Sequence, residues 1–312
     1  MTPSTVPADA AGPGGSTTPE ECTIVSAPPM AFGMGNPTAD CIADSAGGLT
    51  FDLDAPGLSE ACAQWSAALV LRRRGGDDES GEVRLPLTPN GDGRVRAVLP
   101  STVALPEGRW DVHAACGEDA PRRLVPGLAD LRSLVDRRPG PSTSPLAVRI
   151  PYATKHGNLS LRSWLRSPHA EAGDLLLDPS GLTGHGTLYR VGDPEAWLKG
   201  AVVEARLRRD SDVMRTAPVT ADGPDFTFTL PFAGLCEEWQ GGLDVWDLWL
   251  RPAEGAAARL ARILDDVADK KQIFTYPAQE VDATYAPARV SPYYTVDNDL
   301  SVRIDERPPT AR

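Results

Sequence analysis

Apolar residues recur at every second position in several short runs of the chain. Val83, Leu85 and Leu87 alternate with other residues, as do Val95, Ala97 and Leu99, and Phe226, Phe228 and Leu230 alternate with Thr227 and Thr229. A period of two is that of a half-buried β-strand, with one face on a core and the other toward water. Turn-forming clusters separate the runs: Pro89–Gly93 (PNGDG), Ala221–Asp225 (ADGPD), and the KHGN and VDND tetrapeptides between short apolar runs, which read as hairpin tips. A different spacing, i, i+3, i+4 and i+7, occurs twice. Leu128, Leu131, Leu134 and Val135 in one place, and Leu260, Ile263, Leu264 and Val267 in another, predict two short amphipathic helices.

Similar signals come in the same order in the two halves of the chain. IPYATKHGNLSLR at 150–162 matches SPYYTVDNDLSVR at 291–303 in Pro, Tyr, Thr, Leu, Ser and Arg at a constant spacing. Upstream, LTFDL at 49–53 has a counterpart in LTGHGTLY at 182–189, SAALVLRRR at 66–74 in AVVEARLRR at 201–209, and RVRAVLP at 94–100 in DFTFTLP at 225–231. RWDV at 109–112 likewise answers to VWDL at 245–248. Small drifts in offset are what loop insertions between similar elements produce. The expectation is a mainly β chain: two tandem immunoglobulin/fibronectin III-like β-sandwich repeats, each with one short helix. The first repeat spans 49–166 and the second 167–312, with a short linker near Trp164–Asp174. Residues 1–48 precede them as a flexible N-terminal arm, because 1–20 are Pro, Gly, Ser, Thr and Ala with almost nothing to bury.

Charge narrows the function classes. The 312 residues carry 31 Lys and Arg against 43 Asp and Glu, a net charge of -12 that repels phosphate backbones and anionic lipid and argues against nucleic-acid binding. Residues 1–71 hold no Lys or Arg, and neither a signal peptide nor a spanning run of apolar residues is evident, so a cytoplasmic chain without membrane insertion is expected. The five cysteines, Cys22, Cys41, Cys62, Cys116 and Cys236, are scattered and read as reduced, buried thiols. Four histidines without metal-ligand spacing, and the absence of GxSxG, Walker, GxGxxG and HExxH motifs, lead to an expectation of no metal and no cofactor. Asp52-Leu53-Asp54 has DxD spacing, but there is no βαβ pattern behind it to hold a nucleotide.

The candidate contact residues lie at the hairpin tips. Tyr152, Lys155 and His156 flank or form the first, and Tyr293 and Tyr294 flank the second, where Val296 and Asp297 replace the Lys-His pair. The Trp-Asp pairs at 110–111 and 246–247 suggest an indole in each core and a carboxylate accepting hydrogen bonds at a strand edge. An enzyme reading places its site between the copies, where Arg162, His169 and Asp174 would converge.

The repeated PYxTxxxxLSxR element and the Trp-Asp strand resemble the accessory β-sandwich domains that accompany actinobacterial glycosyl- and glycerophosphotransferases of cell-wall polymer assembly. The resemblance covers roughly residues 49 to 306. It implies an auxiliary role, binding a glycan or a protein partner such as a transferase, with catalysis housed elsewhere. The oligomeric state is left open. The alternative is a transferase or a tailoring enzyme of specialised metabolism.

Overall fold

The computed structural model describes residues 36–54, 67–75, 81–91, 93–117, 119–135 and 137–306. Most of the expected arm, including Cys22, lies outside the described residues, as does Cys62. Cys41, Cys116 and Cys236 are free and buried. No helix among the described residues is long and apolar enough to cross a membrane.

The first half contributes β1 (Thr38–Ala43), β2 (Leu49–Asp54), β3 (Ala67–Arg73), β4 (Glu82–Pro86), β5 (Thr88–Pro89), β6 (Val95–Leu99), β7 (Gly108–Cys116), β8 (Arg122–Arg123), β9 (Val125–Asp130), β10 (Leu146–Ala153) and β11 (Leu159–Arg166). They form two sheets, ordered β5-β6-β2-β1-β9 and β10-β11-β7-β3-β4, with β8 paired to β7. The first strand thus begins inside the span expected to be an arm.

The second half contributes β12 (His169–Asp178), β13 (Gly181–Tyr189), β14 (Val202–Leu207), β15 (Asp210–Asp222), β16 (Asp225–Pro231), β17 (Asp244–Arg251), β18 (Ala258–Ala261), β19 (Gln279–Asp282), β20 (Pro287–Tyr294) and β21 (Leu300–Glu306). Ladder pairing runs β14-β15-β16-β13-β12-β18-β17 and then returns from β17 to β14. These seven strands close a barrel, from which β21, β20 and β19 extend. This overturns the expected pair of immunoglobulin-like sandwiches.

The physical difference lies in strand continuity. In the first half, β4 and β5 are separated at Leu87 and belong to different sheets, whereas the 13 residues of β15 run without a break from β14 to β16. On the other side β17 reaches β18 directly, through Trp249↔Arg259 and Leu250↔Ala258. A strand order that stays open in one half is closed in the other, and closure removes the edges.

The alternating residues fill the barrel. Phe226, Phe228 and Leu230 of β16, Val203, Ala205 and Leu207 of β14, and Trp246, Leu248 and Leu250 of β17 are all buried. The two phenylalanine rings need room on β13: a Cβ at Gly184 would lie 2.5 Å from the Phe228 ring, and one at Gly186 2.4 Å from that of Phe226. Glycine alternation on one strand thus complements aromatic alternation on the next.

Neither helix expected from i, i+3, i+4 spacing forms. Residues 125–130 are instead β9, parallel to β1, followed by the 3-10 turn Arg132–Leu134. Leu128 is 80% exposed, so the supposed apolar face does not face a core. In the second half, β18 lies parallel to β12, and the backbone beyond it is held by a side chain: the Glu171 carboxylate accepts the N–H groups of Ile263 (3.0 Å) and Leu264 (2.9 Å). Sheet pairing and a capping carboxylate outcompete helical periodicity. The short helices lie elsewhere, α1 (Pro194–Leu198) capped by Asp193 and α2 (Phe232–Cys236) following Pro231.

Glu171 also bonds His169 Nε2 at 2.7 Å, with the histidine itself fully buried. Removing the carboxylate strands two backbone donors. Glu171→Ala is therefore expected to cost about 2–4 kcal/mol in urea denaturation; a loss below about 1 kcal/mol would contradict this account of the segment.

Candidate functional site

Asp111 stands in the middle of β7, opposite Arg72 of β3 and Ser160 of β11. Its carboxylate accepts from Arg74 Nε (2.7 Å) and Ser160 Oγ (3.0 Å), and Arg123 Nη1 approaches at 2.9 Å. Arg74 and Arg123 also donate to Ser160 Oγ, at 2.8 and 3.2 Å. The same arrangement recurs around Asp247 of β17. There Arg208 Nη2 (2.6 Å), Arg259 Nη2 (2.7 Å) and Ser301 Oγ (2.8 Å) donate to Asp247, and Arg208 Nη1 reaches the Tyr293 hydroxyl at 3.4 Å. Tyr152 is cross-strand partner to Ser160 as Tyr293 is to Ser301.

Burial alone would raise both carboxyl pKa values. The hydrogen bonds from Arg74 and Ser160 and the charge of Arg123 outweigh it at Asp111, and Arg208, Arg259 and Ser301 outweigh it at Asp247, so both lie below the usual carboxylate range. Arg74 and Arg208 are held more firmly protonated, chiefly by these carboxylates.

Sequence comparison aligned Arg74 with Arg209, one residue out of register. The ladders correct it: Arg73 pairs with Trp110 and Leu207 with Trp246, and the next N–H in each chain donates across the sheet, Arg74 to Arg109 O (2.9 Å) and Arg208 to Val245 O (2.8 Å). A one-residue slip moves a side chain to the other face. That slip hid the equivalence of Arg74 and Arg208, one arginine partner of each aspartate.

A groove of about 640 Å³ opens beside the Asp111 cluster. Five cationic side chains line it, Arg74, Arg109, Arg123, Lys155 and Arg162, against the carboxylates of Asp111 and Asp269. Tyr152 and His156 complete the wall at the β10–β11 hairpin. Ala268 and Asp269 come from the second half, and the tip of its β20–β21 hairpin docks alongside. There Arg162 pairs with Asp297, Trp164 Nε1 donates to Asp297 O (3.0 Å), and Arg166 Nη1 donates to Asp299 Oδ1 (2.8 Å). Both hairpins turn through a left-handed residue, Gly157 (φ +75°) in one and Asn298 (φ +61°) in the other. Asn298 is buried and its side chain accepts from the Lys270 N–H at 3.1 Å, which ties that tip to the loop carrying Asp269.

Of the residues singled out from sequence, Tyr152, Lys155, His156 and Arg162 meet in this groove. Tyr293 sits instead on the Asp247 cluster, and Tyr294 is fully buried with its ring edge-on to Phe274 at 5.8 Å. His169 is buried against Glu171, and Asp174 is exposed on β12 away from the groove lining. Arg162, His169 and Asp174 are therefore not brought to one cavity. The Asp52 of the DxD sequence is buried, and its two oxygens accept from Arg96 at 2.7 Å each, so it serves the β2–β6 ladder. Among the described residues, no group of three or more His, Cys, Asp or Glu side chains is placed to hold a metal ion.

No family model matches the chain, and no curated protein does. Among solved structures, weak similarity is found to S. aureus TarS, at 14% identity and a TM-score of 0.28, covering 62% of this chain and 35% of that one. The 217–571 fragment of S. aureus TarS matches with the same identity and TM-score, over 63% of this chain and 56% of the fragment. The chain thus spans little more than half of the shorter of these structures, and about a third of the longer.

The depressed carboxyl pKa values carry a sign. Each pair contributes stability that is complete above the ordinary aspartate value of about 3.9 and is lost as pH falls through the lower folded value. Asp111→Asn and Asp247→Asn should therefore destabilise fully at pH 6, with the gap to the unsubstituted protein in urea midpoint narrowing below about pH 4. An equal gap from pH 6 to pH 3 would show that the carboxylate charges are not what the arginines hold.

Proposed function

We propose that the chain is a non-catalytic binding module, auxiliary to a cell-envelope polymer or glycosyl transferase system, with its ligand seat in the groove beside the Asp111 cluster. On this reading the two halves descend from one strand plan, and the first half retains the seat. The observation that carries the reading is the state of the groove's carboxylates. Asp111 is occupied by two arginines and a serine, and Asp269 accepts the Lys271 N–H at 3.2 Å. Asp111 is thus not free to take a proton from a substrate, and its carboxyl pKa, held low, suits a charge anchor rather than a general acid or base near neutrality.

Size and shape favour a glycan over a flat protein face. A volume of about 640 Å³ lies in the range of small-molecule sites. Tyr152, half-buried, lines the wall, and a tyrosine carries both an aromatic ring and a hydroxyl that a sugar can meet.

Titration of the full chain with a panel of cell-envelope glycans, followed by calorimetry and by chromatography of the mixture, tests this. Saturable binding without product is expected, weakened about tenfold by Tyr152→Ala. Consumption of a glycan or a sugar nucleotide would overturn it.

A further inference from the structure

The internal comparison separates what the fold needs from what it does not. Both clusters share an aspartate, two arginines, a serine and a tyrosine, so those five groups are accounted for by the architecture alone. The flanking positions differ in one direction. Arg109 has Val245 in its place, Lys155 has Val296, His156 has Asp297, and Asn158 has Asp299. In the second half Asp299 stands 3.9 Å from Arg259, so two carboxylates face the two arginines there. In the first half, among the described residues, Asp111 is the one carboxylate on Arg74 and Arg123, and two further cations are added.

Those added cations have little else to hold. Lys155 is exposed and has no ion-pair partner among the described residues, and Arg109 makes only a 3.5 Å contact to the Val296 carbonyl. Arg162, whose side chain is 8% exposed, spends one nitrogen on Asp297 while its buried Nε finds no acceptor among the described residues. A concentration of positive charge in a concave site, on a chain of net charge -12, is a focused field for an anion. Arginine forks and a lysine ammonium are the donors that recognise oxyanions.

We propose that the groove selects ligands bearing an oxyanion, a phosphate ester or a carboxylate on a saccharide-sized body, through Arg109, Lys155 and Arg162. This rests on the groove being the ligand seat and adds the charge of what it takes. The shared cluster supplies the rigid floor: Arg74 and Arg123 are fixed by Asp111 and Ser160 and leave the anion to Arg109 and Lys155, which the second half lacks, and to Arg162, whose counterpart Arg303 donates to Ser291 Oγ instead.

The test compares glucose 6-phosphate, glucuronate and glucose with the full chain by calorimetry in low-salt buffer, with inorganic phosphate as a fourth probe. One or both charged sugars are expected to bind saturably, more tightly than glucose and more weakly as salt is raised. Their relative affinities assign the anion to phosphate or carboxylate. Lys155→Glu should weaken the charged sugar by about tenfold or more, the value of losing a charge-assisted hydrogen bond. Arg109→Ala should weaken the charged sugar in the same direction, and Arg109→Lys, which keeps the cation, should weaken it less. Equal binding of glucose and its charged derivatives, or no effect of Lys155→Glu, would overturn the charge selectivity while leaving a neutral-glycan seat standing. Failure of all four probes, with a neutral polysaccharide also unbound, would remove the seat itself.

Discussion

A carboxylate held between two arginines in the middle of a sheet is the interaction around which each half of this protein is arranged. Asp111 draws together the end of β3, the body of β7, the short β8 and the start of β11, through Arg74, Arg123 and Ser160. Asp247 does the same for the end of β14, for β17, β18 and β21. The hydrogen bonds close on one another, since the arginines that hold each aspartate also hold its serine. Such a network fixes relative strand positions more sharply than apolar contact does, because a displaced partner would leave a partly buried charge uncompensated. Around it, two different global outcomes are tolerated: two open sheets in one half and a closed barrel in the other.

The recurrence also serves as an internal control on function. A residue present in both clusters is explained by the strand plan. One present only beside Asp111 calls for another explanation, and Arg109 and Lys155 are cations with almost no partner among the described residues. The docking of the second hairpin through Asp297 and Asp299 onto Arg162 and Arg166 shows that this face of the first half already accepts carboxylates. Arg162 is common to that face and to the groove.

Strand identity was legible because it depends on local alternation. Phe226, Phe228 and Leu230 point into the barrel as their spacing predicts, and the two Trp-Asp pairs place a fully buried indole beside a hydrogen-bonded carboxylate. Closure was not legible, since it depends on whether residues 82–89 and 210–222 break or continue, a matter of a few turn residues. The helical spacing at 128–135 misled because apolar residues three and four apart also occur where a parallel strand runs into a turn, and Leu128 faces outward. One wall of the groove could be named from the hairpin motif, as Tyr152, Lys155, His156 and Arg162. Arg74 and Arg123 could not, because a one-residue misalignment concealed one and β8 is only two residues long.

The most direct test of the central claim is a map of where an anion goes on the intact molecule. Amide and arginine side-chain shifts in an isotope-labelled full chain, followed by NMR during titration with glucose 6-phosphate, would provide it. Perturbations are predicted around Arg109, Lys155, His156 and Arg162, with Val245 and the Asp247 cluster unmoved. Equal movement at both clusters, or movement at neither, would contradict the assignment of the ligand seat to the first half.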